Sequence, residues 1–292
     1  MKTKLTHLSI ILAGYIACIY SMQFTWSLLS DFSLVSKVFI CHVEATIFIY
    51  ILSVLFNNSS WYDAFWSVIP VALTIMCWSD ISAAGDVQRA FLMHACLLFW
   101  AIRLTYNWIR SWEGFSHEDW RYVMMKGKTG NKFQYFMVDF GSIHLIPTIC
   151  VYMALLPMIY ALTYPGNDLN LLDAVGTLLA VIAVIIQIIS DQQMYNFRKN
   201  LSEPQTMKSG LWFYSRHPNY FGEILFWFSL FVFAIAADIG FAWLLIGCVI
   251  MYALIAIASV AMMDKRSLLR RPDFKEYMDS TPPIFINFFK KG

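Results

Sequence analysis

The sequence predicts an all-α protein: a polytopic membrane helix bundle of about seven to eight transmembrane helices, forming one integral membrane domain over residues 1–292. Three observations predict it. Hydrophobic residues make up 59% of the chain and charged residues only 14%, with a mean hydropathy of +0.58, whereas a soluble domain carries roughly 25% charged residues. Apolar runs recur at about the 20 residues that a bilayer-crossing helix needs. The basic residues are concentrated in alternate connections between those runs, which is the bias that orients membrane helices.

The runs lie near 7–29, 35–56, 61–79, 89–110, 141–163, 171–193, 219–237 and 240–263. Lys2 and Lys4 precede the first run as in a signal peptide, but the run reaches about Leu29, long enough to span. The third run is interrupted by Asp63 and Pro70; without it the count is seven. The last two are separated only by Ala237-Asp-Ile-Gly240 and form an antiparallel pair. With eight spans and both termini cytosolic, 18 of the 21 Lys and Arg fall on the cytosolic side. They are Lys2 and Lys4, then Arg110, Arg121, Lys126, Lys128 and Lys132, then Arg198, Lys199, Lys208 and Arg216, and the seven of the tail from Lys265 to Lys291.

A net charge of +2 is too small to point to nucleic acid. The six cysteines (18, 41, 77, 96, 150 and 248) lie within apolar runs and form no C-x-x-C pair or Cys/His cluster, so neither a metal site nor a disulfide framework is expected. The connection 111–140 mixes aromatic, acidic and basic residues with glycines; a structured cytosolic cap and a solvated linker both fit it.

Polar residues in the apolar frame mark the candidate site. Tyr214, Ser215, Arg216, His217, Asn219, Tyr220 and Glu223 fall within ten residues, directly before an apolar run reaching Ala237. Pro218 suits the first turn of a helix, a helix N-terminus beside Arg216 and His217 suits phosphate, and Glu223 lies one turn into the membrane, where a carboxylate needs a partner or a wet cavity. The sixth run continues into Gln187, Asp191 and Arg198; a helix from 171 to about 199 is roughly 43 Å long and carries all three on one face. Arg103 either snorkels to the headgroups or faces the same cavity as Asp191. Glu44 and Asp63 are carboxylates in or beside early helices, and Asp63 also fits a helix cap after Asn57–Ser60. Asp264, Lys265 and Arg266 follow the last span, where a short amphipathic helix brings them close to the 198–217 connection. The chain has no G-x-G-x-x-G, Walker, G-x-S-x-G or H-E-x-x-H motif. The polar groups converge at the cytosolic ends of the last three or four helices, an arrangement that suits an anionic cofactor meeting a membrane-dissolved substrate.

The stretch Lys208-Ser-Gly-Leu-Trp-Phe-Tyr-Ser-Arg-His-Pro-Asn-Tyr-Phe-Gly-Glu223, the spacing Gln187-x3-Asp191-x6-Arg198 and the Met263–Tyr277 tail resemble the steroid 5α-reductase family of integral membrane reductases, in its steroid 5α-reductase C-terminal domain type. Trp61–Trp66 and Leu98–Leu104 are similar to it more loosely. The resemblance implies NADPH bound from the cytosol within residues 170–292, with helices of 1–163 on the substrate side and hydride passing to an activated carbon–carbon double bond of a steroid-like or other lipid. It places Gln187, Asp191, Arg198, Tyr214, Arg216, His217, Asn219 and Glu223 around the cofactor, with Arg103 and Arg266 as second-rank phosphate or ribose contacts. Arg103, Tyr106 and Asp63 are the candidates for substrate polarisation. Gln187 stands where the steroid reductases have Asn, and Arg216-His-Pro replaces their small residues. A related Arg-His-Pro-x-Tyr segment also occurs in membrane methyltransferases of the isoprenylcysteine or phospholipid type, which use S-adenosylmethionine; the Asn219…Glu223 pair favours the reductase.

Overall fold

The computed structural model describes residues 2–78, 87–164, 166–201, 203–287 and 289–290. The end of the third apolar run at Ser79, the Lys2 side chain and Lys291 of the basic tail lie outside the described residues. The elements are α1 (Lys2–Leu28), α2 (Leu34–Leu55), α3 (Phe65–Met76), α4 (Val87–Ser111), α5 (Trp120–Lys126), α6 (Lys132–Thr163), α7 (Leu171–Lys199), α8 (Leu211–Tyr214), α9 (Pro218–Ala237), α10 (Ile239–Arg270) and α11 (Phe274–Ser280). Among the described residues there is no strand, and seven helices are long and apolar enough to cross a membrane. They are α1, α2, α4, α6, α7, α9 and α10. The protein is a multi-pass integral membrane protein whose outer helix faces, such as Tyr20, Phe24 and Leu28 of α1, are apolar and exposed.

The third run is the one that separates seven spans from eight. Asn58 caps a 3₁₀ turn at Ser59–Tyr62, and among the described residues the longest α-helix of this run is Phe65–Met76. Twelve residues reach about 18 Å, short of the roughly 30 Å hydrocarbon core. The cause is polar pinning: Asn58 Nδ2 donates to the carbonyls of Phe115 and His117 at 3.0 and 3.1 Å, and Ser59 N donates to Glu118 Oε1 at 2.6 Å. These bonds remove residues 58–62 from the helix and also settle the 111–140 connection as a structured cap. α3 nonetheless runs antiparallel to α4, with Ser67 Oγ 2.9 Å from Thr105 Oγ1 and the Thr74 carbonyl 3.2 Å from His94 Nε2.

Contacts define the two ends of the bundle. At one end Phe115 N donates to His7 Nδ1 at 3.2 Å, Arg110 to Gln192 Oε1 at 2.7 Å and Arg216 to Asp264 at 2.7 Å. At the other Arg89 pairs with Asp173 at 2.7 Å and Asn170 Nδ2 donates to the Ala236 carbonyl at 2.9 Å. The start of α1 and the tail after α10 therefore share one end, because α3, though short, leads from that end toward the other alongside α4.

α7 matches its predicted extent and opens on a capping box between Asn170 and Asp173, which satisfies two otherwise orphaned donors. α6 and α10 exceed their predicted lengths because π-helical segments at Met137–Leu145 and Leu254–Val260 join each apolar run to its polar neighbour. The tail helix expected after residue 263 is the last part of α10. Close helix approaches need glycine at two positions. A Cβ on Gly222 of α9 would lie 2.6 Å from Gln187 Cγ and 2.7 Å from the Ala183 carbonyl of α7. One on Gly247 of α10 would lie within 2.1 Å of the Met153 carbonyl of α6. All six cysteines are buried and free, as small apolar fillers.

Candidate active site

The polar run 210–223 folds into a clamp at the shared end of the bundle. α9 starts at Pro218, whose missing N–H costs nothing at the first helical position. Before it, Ser215 Oγ donates to the Ile284 carbonyl at 2.7 Å and Arg216 N to the Pro282 carbonyl at 2.9 Å. The Arg216 guanidinium donates to Asp264 Oδ2 at 2.7 Å and to the Thr281 and Met278 carbonyls at 2.7 and 3.1 Å. His217 Nε2 lies 3.0 Å from Asp264 Oδ1, with its ring stacked on Tyr220 at 5.4 Å. One carboxylate of α10 thus fixes both basic side chains ahead of α9, and the tail is strapped across them.

A cleft of about 290 Å³ opens beside this clamp. Asn107 and Arg110 of α4, Asp191, Tyr195 and Arg198 of α7, and Arg216, His217, Asn219 and Tyr220 contribute to its wall, with Arg271 and Tyr277 from the tail. Arg110 lies over the Tyr195 ring at 4.2 Å, an arrangement that holds a guanidinium without neutralising it. Asp191 is ion-paired with Arg103 and accepts from Asn219 Nδ2 at 3.4 Å. The Asn219 Oδ1 and Arg110 Nε atoms are buried with no hydrogen-bond partner among the described residues, and such atoms are uncommon without a ligand to meet them. Outside the membrane-spanning helices, burial and then the like charge of Arg198 hold the Arg271 guanidinium below its ordinary range.

Of the predicted cofactor residues, Asp191, Arg198, Arg216, His217 and Asn219 line the cleft. Gln187 and Glu223 lie one turn deeper and are fully enclosed. Glu223 accepts from Trp100 Nε1 at 3.1 and 3.0 Å, Trp227 Nε1 at 3.0 Å and Gln187 Nε2 at 2.8 Å. Its needed partner is therefore a ring of protein donors. Tyr214 sits on α8 against Phe213, with its carbonyl accepting from Asn287 N, and Arg266 lines an adjoining hollow rather than the cleft.

The three predicted substrate-side residues separate. Arg103 turns inward to Asp191, while Tyr106 is 62% exposed on the outer face of α4. Asp63 is the C-cap of the 3₁₀ turn and accepts from Tyr122 Oη at 2.9 Å. Burial, followed by the like charge of Asp119, pushes its carboxyl up to about 7. Asp119 is bidentate to Arg121 at 2.9 Å, and both are near enough to Tyr220 of the cleft to act on it electrostatically. Tyr220 also meets Ser259 in the π-helical segment of α10. Sequence reasoning missed Trp100, Trp227 and Tyr122. An indole within an apolar run carries no signal that it donates to a carboxylate rather than filling the core, and Tyr122 belonged to a connection whose fold no periodicity reveals.

Comparison with other proteins places this arrangement in a wider set. An uncharacterized protein of Schizosaccharomyces pombe is 24% identical over 259 residues, covering 80% of this chain and 74% of its own. No solved structure matches. The family model described as a protein of unknown function (DUF1295) matches residues 49–281, from mid-α2 to the end of the strap over the cleft, and the chain belongs to that family.

Proposed function

We propose that the protein is a membrane-embedded, NADPH-dependent reductase of a carbon–carbon double bond conjugated to a carbonyl in a hydrophobic substrate, similar in kind to the steroid 5α-reductases. The observation that carries this reading is the cleft itself: a cationic hollow with unpartnered buried polar atoms, built at the end of an otherwise apolar bundle. Its donor set fits the cofactor. Arg198 and Arg271 match phosphate oxygens, and the buried Asn219 Oδ1 is an acceptor for a carboxamide N–H₂. NADPH, when bound, supplies the hydride that the β-carbon of the substrate receives.

The chain's own groups account for the rest. The Arg216–Asp264–His217 clamp fixes the cleft wall before any ligand arrives, which lowers the ordering cost of binding. Asp63 and Tyr122 form a hydrogen-bonded acid pair, linked to the Tyr220 wall of the cleft through Asp119 and Arg121. An acid poised near neutral pH is suited to proton transfer, here to polarise the substrate carbonyl and return a proton to the α-carbon. Apolar helices around the cleft exclude water and strengthen these contacts. The site end faces the cytosol in this reading, by the positive-inside bias.

The test is ligand-dependent thermal stabilisation of the detergent-purified protein with NADPH, NADH and S-adenosylmethionine, for wild type and Asn219→Ala. Stabilisation by NADPH, reduced in the variant, is the expected result. Stabilisation by S-adenosylmethionine without any by NADPH sinks the reductase and supports a membrane methyltransferase instead.

A further inference from the structure

A second hollow of about 440 Å³ adjoins the cleft. It is walled by Arg198 at the end of α7, Arg266 and Arg270 on the last turns of α10 and Arg271 just beyond, with Trp120 and Glu203 at its edges. Arg198 and Arg271 belong to both walls, so cleft and hollow form one groove.

The chain treats these arginines differently from four of its five others, the exception being Arg110, which also lines the cleft. Arg89, Arg103, Arg121 and Arg216 each pair with an aspartate. Among the described residues none of the four around the hollow has an ion-pair partner. Arg266 lies over the Trp120 indole at 4.0 Å, and its Nη1 is buried without a hydrogen-bond partner. Headgroup anchoring alone asks only for exposed bases near the membrane surface. It does not require a guanidinium fixed flat on an indole, nor four of them turned onto one cavity at the cost of mutual repulsion. That cost is offset when an anion sits between them. With one carboxylate, Glu203, on the wall, a monoanion leaves the cluster under-neutralised, whereas a phosphomonoester brings close to two charges and three acceptor oxygens.

We infer that this hollow binds a phosphomonoester dianion between Arg198, Arg266, Arg270 and Arg271. The group has two sources, the terminal ribose phosphate of a nucleotide lying in the cleft or the headgroup of a membrane lipid. The inference stands on the hollow and does not depend on the reductase reading.

NADPH and NADH differ by a single phosphomonoester, and short-chain phosphatidic acid differs from short-chain phosphatidylglycerol in carrying one. Binding of all four to the detergent-purified full chain is compared for wild type, Arg266→Ala and Arg270→Glu. Arg270 is exposed, so its variant reports on charge without disturbing the fold. A preference of roughly ten- to a hundredfold for the phosphomonoester member of a pair, lost in both variants, is the expected result. The pair that shows it names the source. With no arginine-dependent preference in the lipid pair, NADPH and NADH binding equally well, or an NADPH preference that survives both variants, overturns the inference and leaves the reductase standing. Failure of both nucleotides to bind, beside an arginine-dependent preference for phosphatidic acid, overturns the reductase and leaves the inference standing. No arginine-dependent preference in either pair ends it.

Discussion

The Trp100 indole of α4 divides its N–H between the two carboxylate oxygens of Glu223 on α9, at 3.1 and 3.0 Å. Trp227 and Gln187 complete the shell, so α4, α7 and α9 meet on one carboxylate directly beneath the cleft. Removing the acceptor strands three buried donors, each costing about 1–3 kcal/mol. Glu223→Ala is therefore expected to lose about 3 kcal/mol or more. Glu223→Gln retains an acceptor for the indoles, and its amide is accommodated when Gln187 flips to present Oε1, which is otherwise buried and unpaired. It is expected to unfold within about 1 kcal/mol of wild type. Denaturant unfolding in detergent separates the two; equal loss in both variants would mean that the charge, not the acceptor geometry, matters here.

Arg103 and Asp191 join α4 to α7 in a nearly closed environment, at 8% and 10% side-chain exposure. Breaking one side of such a pair leaves an uncompensated charge and costs about 3–5 kcal/mol. Arg103→Met and Asp191→Leu are each expected to lose that much. The double variant is expected to lose less than the sum, with a coupling of about 1–3 kcal/mol. Additive losses in a double-mutant cycle would refute the pairing.

This pair also shows how far the sequence is legible. Gln187, Asp191 and Arg198 share a helix face, and α7 forms over the predicted residues, because a long apolar run with an uninterrupted polar end has one simple helical solution. Periodicity within one helix cannot say what the face meets. Arg103 had two open destinations, and only the parallel packing of α4 on α7 selects Asp191. For the same reason Glu223 was legible as a group needing a partner, yet the indoles that supply it come from 123 residues away and from its own next turn. The third apolar run left seven and eight spans open, because the start of its helix is set from outside, by Phe115, His117 and Glu118.

Asp63 gives the pH dependence. Its folded-state carboxyl is raised to about 7, chiefly by burial and then by Asp119, against about 3.9 for an unfolded aspartate. The folded state then holds more protons than the unfolded state between those values, so stability falls as pH rises from about 4 to about 7 and levels off above. Asp63→Asn is expected to flatten that stretch. The Tyr122 hydroxyl favours the ionised carboxylate, so Tyr122→Phe moves the titration upward. Unfolding midpoints measured from pH 4 to 9 test both; a slope unchanged in Asp63→Asn assigns the dependence to another group.

Asp264 carries the strap. It receives Arg216 at 2.7 Å and His217 at 3.0 Å, and Arg216 in turn holds the carbonyls of Met278 and Thr281. Loss of this carboxylate frees the guanidinium that positions the tail, while the α7–α9 packing beneath it stays intact. The expected result for Asp264→Ala is local: hydrogen exchange rises in residues 272–287 and at 213–217, with exchange in α7 and the membrane part of α9 unchanged. Asp264→Asn keeps one acceptor for Arg216 and should fall between. Because Arg216 and His217 form part of the cleft wall, ligand stabilisation should decline in the same order as the strap loosens. Exchange that rises through α9 as well would show Asp264 supporting the whole bundle rather than its cover.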